Sequence, residues 1–362
     1  MYFDNINLLR AFAALSVLVY HVIELYPWKS FPVEGPLLWF RIGWLGVDLF
    51  FVISGFVITL TASQLFEQHG NQFYKTFFRR RIARILPLYL LTGFLFILFC
   101  EPAILKSPAL GLYKNLIYHL LFIHNLDLGT HGAIDGPNWS VGIEMQFYLL
   151  IMISIKFLIR IHPALILFGC ILISWIWRTL VFFVLCQEPA CDAFHKFFLS
   201  TQLIGCLDEF GFGICLCRLV LNKDRFFPPT SIFRSAWFWM FGTTLIAWLT
   251  FALFWKWANY WNLWWMVILW RTLAGMTFFM VLGTAIWLVS LIKFNRYFFG
   301  PLWYLGEISY GIYLWHILVI RNLNQANLFS APELLFWTLF FTIALSAFSW
   351  HFVEKPLIKR FR

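Results

Sequence analysis

Residues 111–126 read GLYKNLIYHLLFIHNL. The run is apolar enough for a membrane segment, yet it is short and broken by Lys114, His119 and His124. Whether it crosses a bilayer decides the topology of the whole chain. Ten other segments are apolar over about the 20 residues that a span needs. They lie near 7–25, 42–64, 84–101, 139–157, 163–186, 198–221, 235–255, 262–291, 300–320 and 331–352. Suppose the N-terminus is cytoplasmic and 111–126 does not cross. Every basic cluster then falls on the cytoplasmic side: Lys75 with Arg79, Arg80 and Arg81; Lys156 with Arg160; Arg218 with Lys223, Arg225 and Arg234; Lys293 with Arg296; and the tail Lys355, Lys359, Arg360 and Arg362. If 111–126 crosses, the later clusters are thrown outside, against the positive-inside bias. The expected fold is therefore all-α and polytopic, with about ten transmembrane helices and both termini cytoplasmic. Residues 111–126 are re-entrant or lie at the outer surface. The outer loops are then 26–41, 102–138, 187–197, 256–261 and 321–330, and the long 102–138 loop is the candidate external lid or binding surface.

Composition agrees. Of 362 residues, 61% are hydrophobic and 12% charged, against about 45–50% and about 25% in a soluble domain. The solvent of such a chain is mostly lipid. The net charge of +10 is dispersed in short clusters between apolar runs, so it does not form a nucleic-acid patch. Trp39, Trp139, Trp261, Trp264 and Trp303 stand near span ends, as interfacial anchors do. Residues 1–362 are read as one integral-membrane domain, without an internal repeat or a separate soluble domain. The first apolar run lacks a basic n-region and an A-x-A site, so it is expected to be a retained helix. Five of seven cysteines lie in apolar runs, which is no disulfide framework. Cys186 and Cys191 flank the QEPA loop and are able to pair if that loop faces an oxidising compartment; the sequence leaves this open.

Ionisable groups within spans are costly and mark functional positions. On this topology His21, Asp48, Glu144 and His316 come from four helices and share the outer half of the membrane. Each alone has a plain structural reading: an interfacial histidine, a helix-packing ion pair, an acid near a helix N-terminus, a ring bonded to a backbone carbonyl. Together they resemble a histidine with a carboxylate partner, which general-base chemistry requires. At the inner face, FRRRIARILPLY carries Arg79, Arg80, Arg81 and Arg84. Arg81 and Arg84 are three apart and share a helical face. A guanidinium pair suits phosphate or pyrophosphate, whereas Arg79 and Arg80 are read as topological and lipid-facing charges. Arg10 lies on the same inner side. Arg10 and His21 are eleven positions apart, about 16 Å along a helix.

The order and spacing of these motifs resemble the membrane-bound acyltransferase 3 family over nearly the whole chain. The markers are the Arg10–His21 spacing, GVDLFFVISGFVIT (46–59), RRIARILPLYLL (80–91), NWSVGIEMQFY (138–148), LDEFGFGICLC (207–217), ISYGIYLWH (308–316) and VEKP (353–356). Gly142 departs from the family, where a larger apolar residue is common. The resemblance implies a stand-alone O-acyltransferase of the bacterial cytoplasmic membrane, without the esterase-like domain of some members. Its donor would be cytoplasmic acyl-CoA, usually acetyl-CoA, with no permanently bound cofactor and no metal. Its acceptor would be a hydroxyl of an extracytoplasmic glycan such as lipopolysaccharide O-antigen. Arg10, Arg81 and Arg84 would hold the donor. His21 would act as general base or transient acyl carrier, oriented by Glu144 or Asp48. Trp139, Ser140, Tyr310, Tyr313 and His316 would bind the sugar. A proton-coupled or acyl-group transporter built on the same polar groups is the alternative, but the repeats and paired broken helices typical of transporters are not evident.

Overall fold

The 111–126 stretch does not make a spanning helix. It contributes to a helix of twelve residues, Ala109–Leu120, about 18 Å long against a hydrocarbon core of about 30 Å. The helix ends in a Schellman turn. Ile123 N donates to Tyr118 O at 2.9 Å and Phe122 N to His119 O at 3.2 Å, with Phe122 left-handed at φ 56°. Glycine is the usual residue there. Phe122 is instead held by its ring, which is buried and lies 4.9 Å from the ring of Tyr89. The turn reverses the chain and delivers His124 into the interior.

The computed structural model describes residues 4–106, 109–186, 191–228, 230–257, 260–288, 296–326 and 328–361. The helices are α1 Asp4–Leu25, α2 Gly46–His69, α3 Phe73–Phe99, α4 Ala109–Leu120, α5 Trp139–Leu158, α6 Pro163–Leu180, α7 Ala193–Ser200, α8 Leu207–Leu221, α9 Lys223–Phe226, α10 Ala236–Lys256, α11 Trp264–Leu288, α12 Arg296–Glu307, α13 Ser309–Gln325, α14 Ala331–Ser349 and α15 Lys355–Arg360. The chain is an all-α polytopic membrane protein. Among the described residues, eight helices are long and apolar enough to cross a membrane. Two of the ten expected spans are discontinuous instead. The 198–221 segment breaks between α7 and α8, and the 300–320 segment breaks at Ile308, between α12 and α13. The first break has a physical reason: it exposes the carbonyl of Gly205, which accepts from Arg178 Nε at 2.9 Å. Irregular backbone at membrane depth is tolerated where it is buried in protein. The third expected span starts earlier than expected, because Arg79, Arg80, Arg81 and Arg84 all lie within α3. Lys293 lies outside the described residues. Cys186 and Cys191 form a disulfide.

The chain divides into two compact units. Unit 1 comprises residues 1–6, 48–73 and 146–296; unit 2 comprises 7–47, 74–145 and 297–362. In unit 1, α2 meets α8 backbone to backbone. A Cβ on Gly55 would run into Phe210 O, and one on Gly213 into Val52 O. Small residues permit such approaches between membrane helices. Unit 1 also buries a charge network. Arg178, fully buried, bonds Gly205 O, Ile268 O, Thr272 Oγ1 and Asp208, with the Asp208 contact at 2.7 Å. Arg271 bonds Asp48 at 2.8 Å and Glu209 at 3.2 Å. In unit 2, α13 packs along α14, and Tyr310 on α13 donates to Ile85 O on α3 at 2.9 Å.

Replacing Gly213 by Leu should lower stability by about 1–3 kcal/mol through overpacking, read as a fall in Tm of the purified protein in detergent. Gly169→Ala, where a Cβ meets nothing within 4 Å, should show no such fall.

Candidate active site

Unit 2 brings His21 of α1 against His316 of α13. His316 Nε2 lies 3.1 Å from His21 Nδ1, and the ring centroids are 5.0 Å apart. The other contacts fix the protons. His316 Nδ1 lies 2.6 Å from Tyr313 O, and His21 Nδ1 lies 3.0 Å from Val17 O. A carbonyl only accepts, so each Nδ1 carries a hydrogen. His21 Nδ1–H is then shared between Val17 O and the lone pair of His316 Nε2. In its neutral form His21 therefore presents Nε2 as an unprotonated, basic nitrogen. His316 is 1% exposed, and its Nε2 is directed at His21. The family resemblance implies a carboxylate in this orienting place and a sugar-binding role for His316.

Asp48 belongs to unit 1. Its carboxylate is taken by Arg271, beside Glu209. The orienting contact on His21 is the imidazole of His316. Glu144 lies in unit 2, half-buried on α5 one turn beyond Ser140, within electrostatic reach of Tyr313. Ser140 Oγ and Tyr313 Oη are 2.7 Å apart, and both reach Pro137 O, at 3.1 Å and 2.8 Å. This knot ties the start of α5 to α13 one turn before His316. Tyr310 donates its hydroxyl hydrogen to Ile85 O and so ties α13 to α3. Trp139 is half-exposed and stacks on His131, centroids 6.1 Å apart.

The three arginines expected to hold a donor are all in unit 2 and half-buried. Arg10 is toward the far end of α1 from His21. Arg81 lies over the ring of Phe77 at 5.3 Å. Arg84 is within electrostatic reach of Glu354, the buried acid of VEKP. Arg79 is exposed and stacks on Phe361 at 5.3 Å.

Sequence reasoning missed a polar cluster in the 119–139 loop of unit 2. His119 and His124 stack at 4.2 Å with an interplanar angle of 9°. His124 Nε2 donates to Asn138 O at 2.9 Å. Gly142 permits the loop to close on α5, because a Cβ there would come within 2.9 Å of Asn125 Oδ1 and 3.1 Å of His124 Cε1. The departure at Gly142 is thus a packing requirement of this loop. Burial pushes the Asp135 carboxyl up to about 8. Burial, with His124 nearby, pulls His119 down to about 3 and His131 down to about 4. Among the described residues, no group of three or more His, Cys, Asp or Glu side chains is arranged to hold a metal ion.

A polytopic helical protein whose histidine pair leaves one nitrogen free has the makings of a membrane group-transfer enzyme. The chain belongs to the acyltransferase 3 family: the family profile, described as an acyltransferase domain, matches residues 3–352. It is 26% identical over 385 residues to the peptidoglycan O-acetyltransferase OatA of Listeria monocytogenes serovar 1/2a, covering 99% of this chain and 56% of the relative. It is 26% identical over 377 residues to the O-acetyltransferase OatA of Staphylococcus aureus strain NCTC 8325, covering 99% and 58%. The chain therefore spans somewhat more than half the length of these curated relatives. No solved structure matches it.

The loop carries a pH signature. The raised Asp135 group makes the folded state hold a proton that the unfolded chain releases near pH 4, so its stabilisation is lost as pH rises toward 8. The two lowered histidines act oppositely, and only as pH falls below about 6.5. Among the loop groups, Asp135 is the one that titrates between pH 6.5 and 8.5. Stability should fall there by about 1–2 kcal/mol, seen as a declining Tm, and Asp135→Asn should flatten the slope.

Proposed function

We propose that the chain is an O-acetyltransferase that moves an acetyl group from cytoplasmic acetyl-CoA to a hydroxyl of an extracytoplasmic cell-wall or surface glycan. The observation that carries this is the hydrogen bond from His21 Nδ1 to His316 Nε2, 3.1 Å long. It leaves His21 Nε2 basic at one end of α1, while Arg10 stands about 16 Å along the same helix. Family membership and the names of the relatives support the reaction class, and the peptidoglycan relatives support a cell-wall acceptor.

The donor is acyl-CoA, whose phosphates are bound by Arg81 and Arg84, with Arg10 close to the same face. Guanidinium forks match phosphate oxygens in charge and geometry. The chemistry is proton transfer coupled to acyl transfer. His21 Nε2 removes the proton of the acceptor hydroxyl as its oxygen attacks the thioester carbonyl. The C–S bond then breaks, and the imidazolium returns that proton to the departing CoA thiolate. The same nitrogen is able to carry the acyl group covalently if donor and acceptor are not bound together. His316 holds the tautomer throughout, and a misplacement of about 1 Å in such a group costs about 100-fold in rate. Both termini lie in the cytoplasm in this reading. The Cys186–Cys191 disulfide supports an oxidising, outer location for these two cysteines.

His21→Ala should lower transfer from labelled acetyl-CoA to glycan by about 100-fold or more in protein that stays folded; unaltered transfer contradicts the assignment. His316→Ala should lower kcat by about 10- to 100-fold with the KM for acetyl-CoA unchanged, and His316→Gln, which restores an acceptor, should recover part of the loss. The double variant Arg81→Ala, Arg84→Ala should chiefly raise the KM for acetyl-CoA. Analysing peptidoglycan and lipopolysaccharide from a deletion strain for a lost acetyl group would identify the acceptor.

A further inference from the structure

The 119–139 loop of unit 2 buries several polar atoms without satisfying them. Asn138 is 1% exposed, and both its Nδ2 and its Oδ1 have no hydrogen-bond partner. Asp135 is 1% exposed and its Oδ1 has none; His119 is 6% exposed and its Nε2 has none. An orphaned buried polar group costs about 1–3 kcal/mol, and native proteins keep few of them. Four such atoms fall on three residues, His119 in the last turn of α4 and Asp135 and Asn138 just before α5. The loop's own architecture is closed by other atoms: His124 Nε2 to Asn138 O, Thr130 Oγ1 to His124 O at 2.9 Å, and the Schellman turn at Phe122. The side-chain functions of Asn138, Asp135 and His119 are surplus to it.

The cluster is tied to the histidine pair through its own backbone. Pro137 O, next to Asn138, receives Tyr313 Oη and Ser140 Oγ. Tyr313 in turn gives its carbonyl to His316 Nδ1. Asp135 is within electrostatic reach of Tyr313 and Tyr89. The half-exposed stacked pair of His131 and Trp139 flanks the segment.

We propose that Asn138, Asp135 and His119 form the acceptor subsite of the transferase, where they hydrogen-bond the hydroxyls of an uncharged sugar ring, with Trp139 and His131 at its mouth. This rests on the glycan-acetyltransferase reading above. An amide and a carboxylic acid each donate and accept, which matches adjacent sugar hydroxyls that do both. The cluster carries no net charge at neutral pH, since Asp135 is raised to about 8 while His119 and His131 are lowered to about 3 and about 4. A neutral hydroxyl-rich ligand fits this, and a phosphorylated or carboxylated group does not. Planar side chains at the mouth suit the apolar face of a sugar ring.

The test is Asn138→Leu in the full chain, purified in detergent, with labelled acetyl-CoA as donor and an N-acetylglucosamine pentasaccharide as acceptor. Leucine keeps the branching and heavy-atom count of asparagine and removes both orphaned atoms while leaving the backbone carbonyl to His124. The subsite predicts an unchanged or higher Tm, an acceptor KM raised at least tenfold and an acetyl-CoA KM within twofold of wild type. His119→Phe, which keeps the stacked ring and removes the orphaned Nε2, should raise the acceptor KM in the same way. The pentasaccharide should raise the Tm of the wild type and not of Asn138→Leu. An unchanged acceptor KM in both variants would overturn the subsite. So would a lower Tm with an unchanged acceptor KM, because it would make the cluster a scaffold for buried water. A wild-type protein that transfers acetyl to the pentasaccharide while Asn138→Leu does so with the same KM leaves the proposed function standing and this inference refuted. Wild-type protein that acetylates no saccharide would refute both.

Discussion

A polar group placed among lipid-embedded helices has to find its partner within the protein, because hydrocarbon offers none. The structure follows that constraint in both units. Arg178 carries five N–H donors and meets two backbone carbonyls, a threonine hydroxyl and Asp208. One of those carbonyls, Gly205 O, is available because the chain breaks between α7 and α8. Arg271 draws Asp48 and Glu209 to one guanidinium. In unit 2 the same constraint is met without charge, by two imidazoles and the carbonyls of Val17 and Tyr313.

The two solutions differ in what they leave over. Arg178 and Asp208 neutralise each other, and replacing one partner of such a buried pair typically costs about 3–5 kcal/mol. Their work is to hold α6, α8 and α11 together. The histidine pair leaves one basic nitrogen uncommitted, and it does so because every other ring nitrogen in the pair has a partner that dictates its proton. The knot of Ser140, Tyr313 and Pro137 then fixes the segment of α13 that presents His316. The placement of the His21 ring is thus a product of three helices and one loop.

Much of this was legible in the sequence. The charge distribution excluded 111–126 as a span, and the turn at Phe122 shows how that exclusion is built. His21, Asp48, Glu144 and His316 were read as ionisable groups at one depth, with Ser140 and Tyr313 as sugar-binding residues; of these, His21, His316, Ser140 and Tyr313 come together in unit 2. Depth alone, however, does not say which groups face each other. Asp48 was paired with His21 on that basis, whereas its partner Arg271 lies 223 positions along the chain. A signal for it existed: the tetrapeptide WRTL occurs at 177–180 and again at 270–273, setting Arg178 and Arg271 in apolar runs that demanded acids. The Asp208–Glu209 pair in LDEFG answers both. The helix breaks at 201–206 and at Ile308 were invisible, because hydropathy runs through them without interruption. The loop histidines were read only as flaws in an apolar segment, and their stacking depends on a reversal that no periodicity announces.

The central claim is that His21 is held as the Nδ1–H tautomer by His316, so that Nε2 is the nitrogen left unprotonated. The most direct measurement is solid-state NMR of the full chain in lipid with ¹⁵N-labelled histidine, the two resonances assigned with His21→Ala and His316→Ala. The account predicts that both rings are protonated on Nδ1 at neutral pH, and that His316→Ala releases His21 into a mixture of tautomers. A wild-type His21 protonated on Nε2 would contradict it.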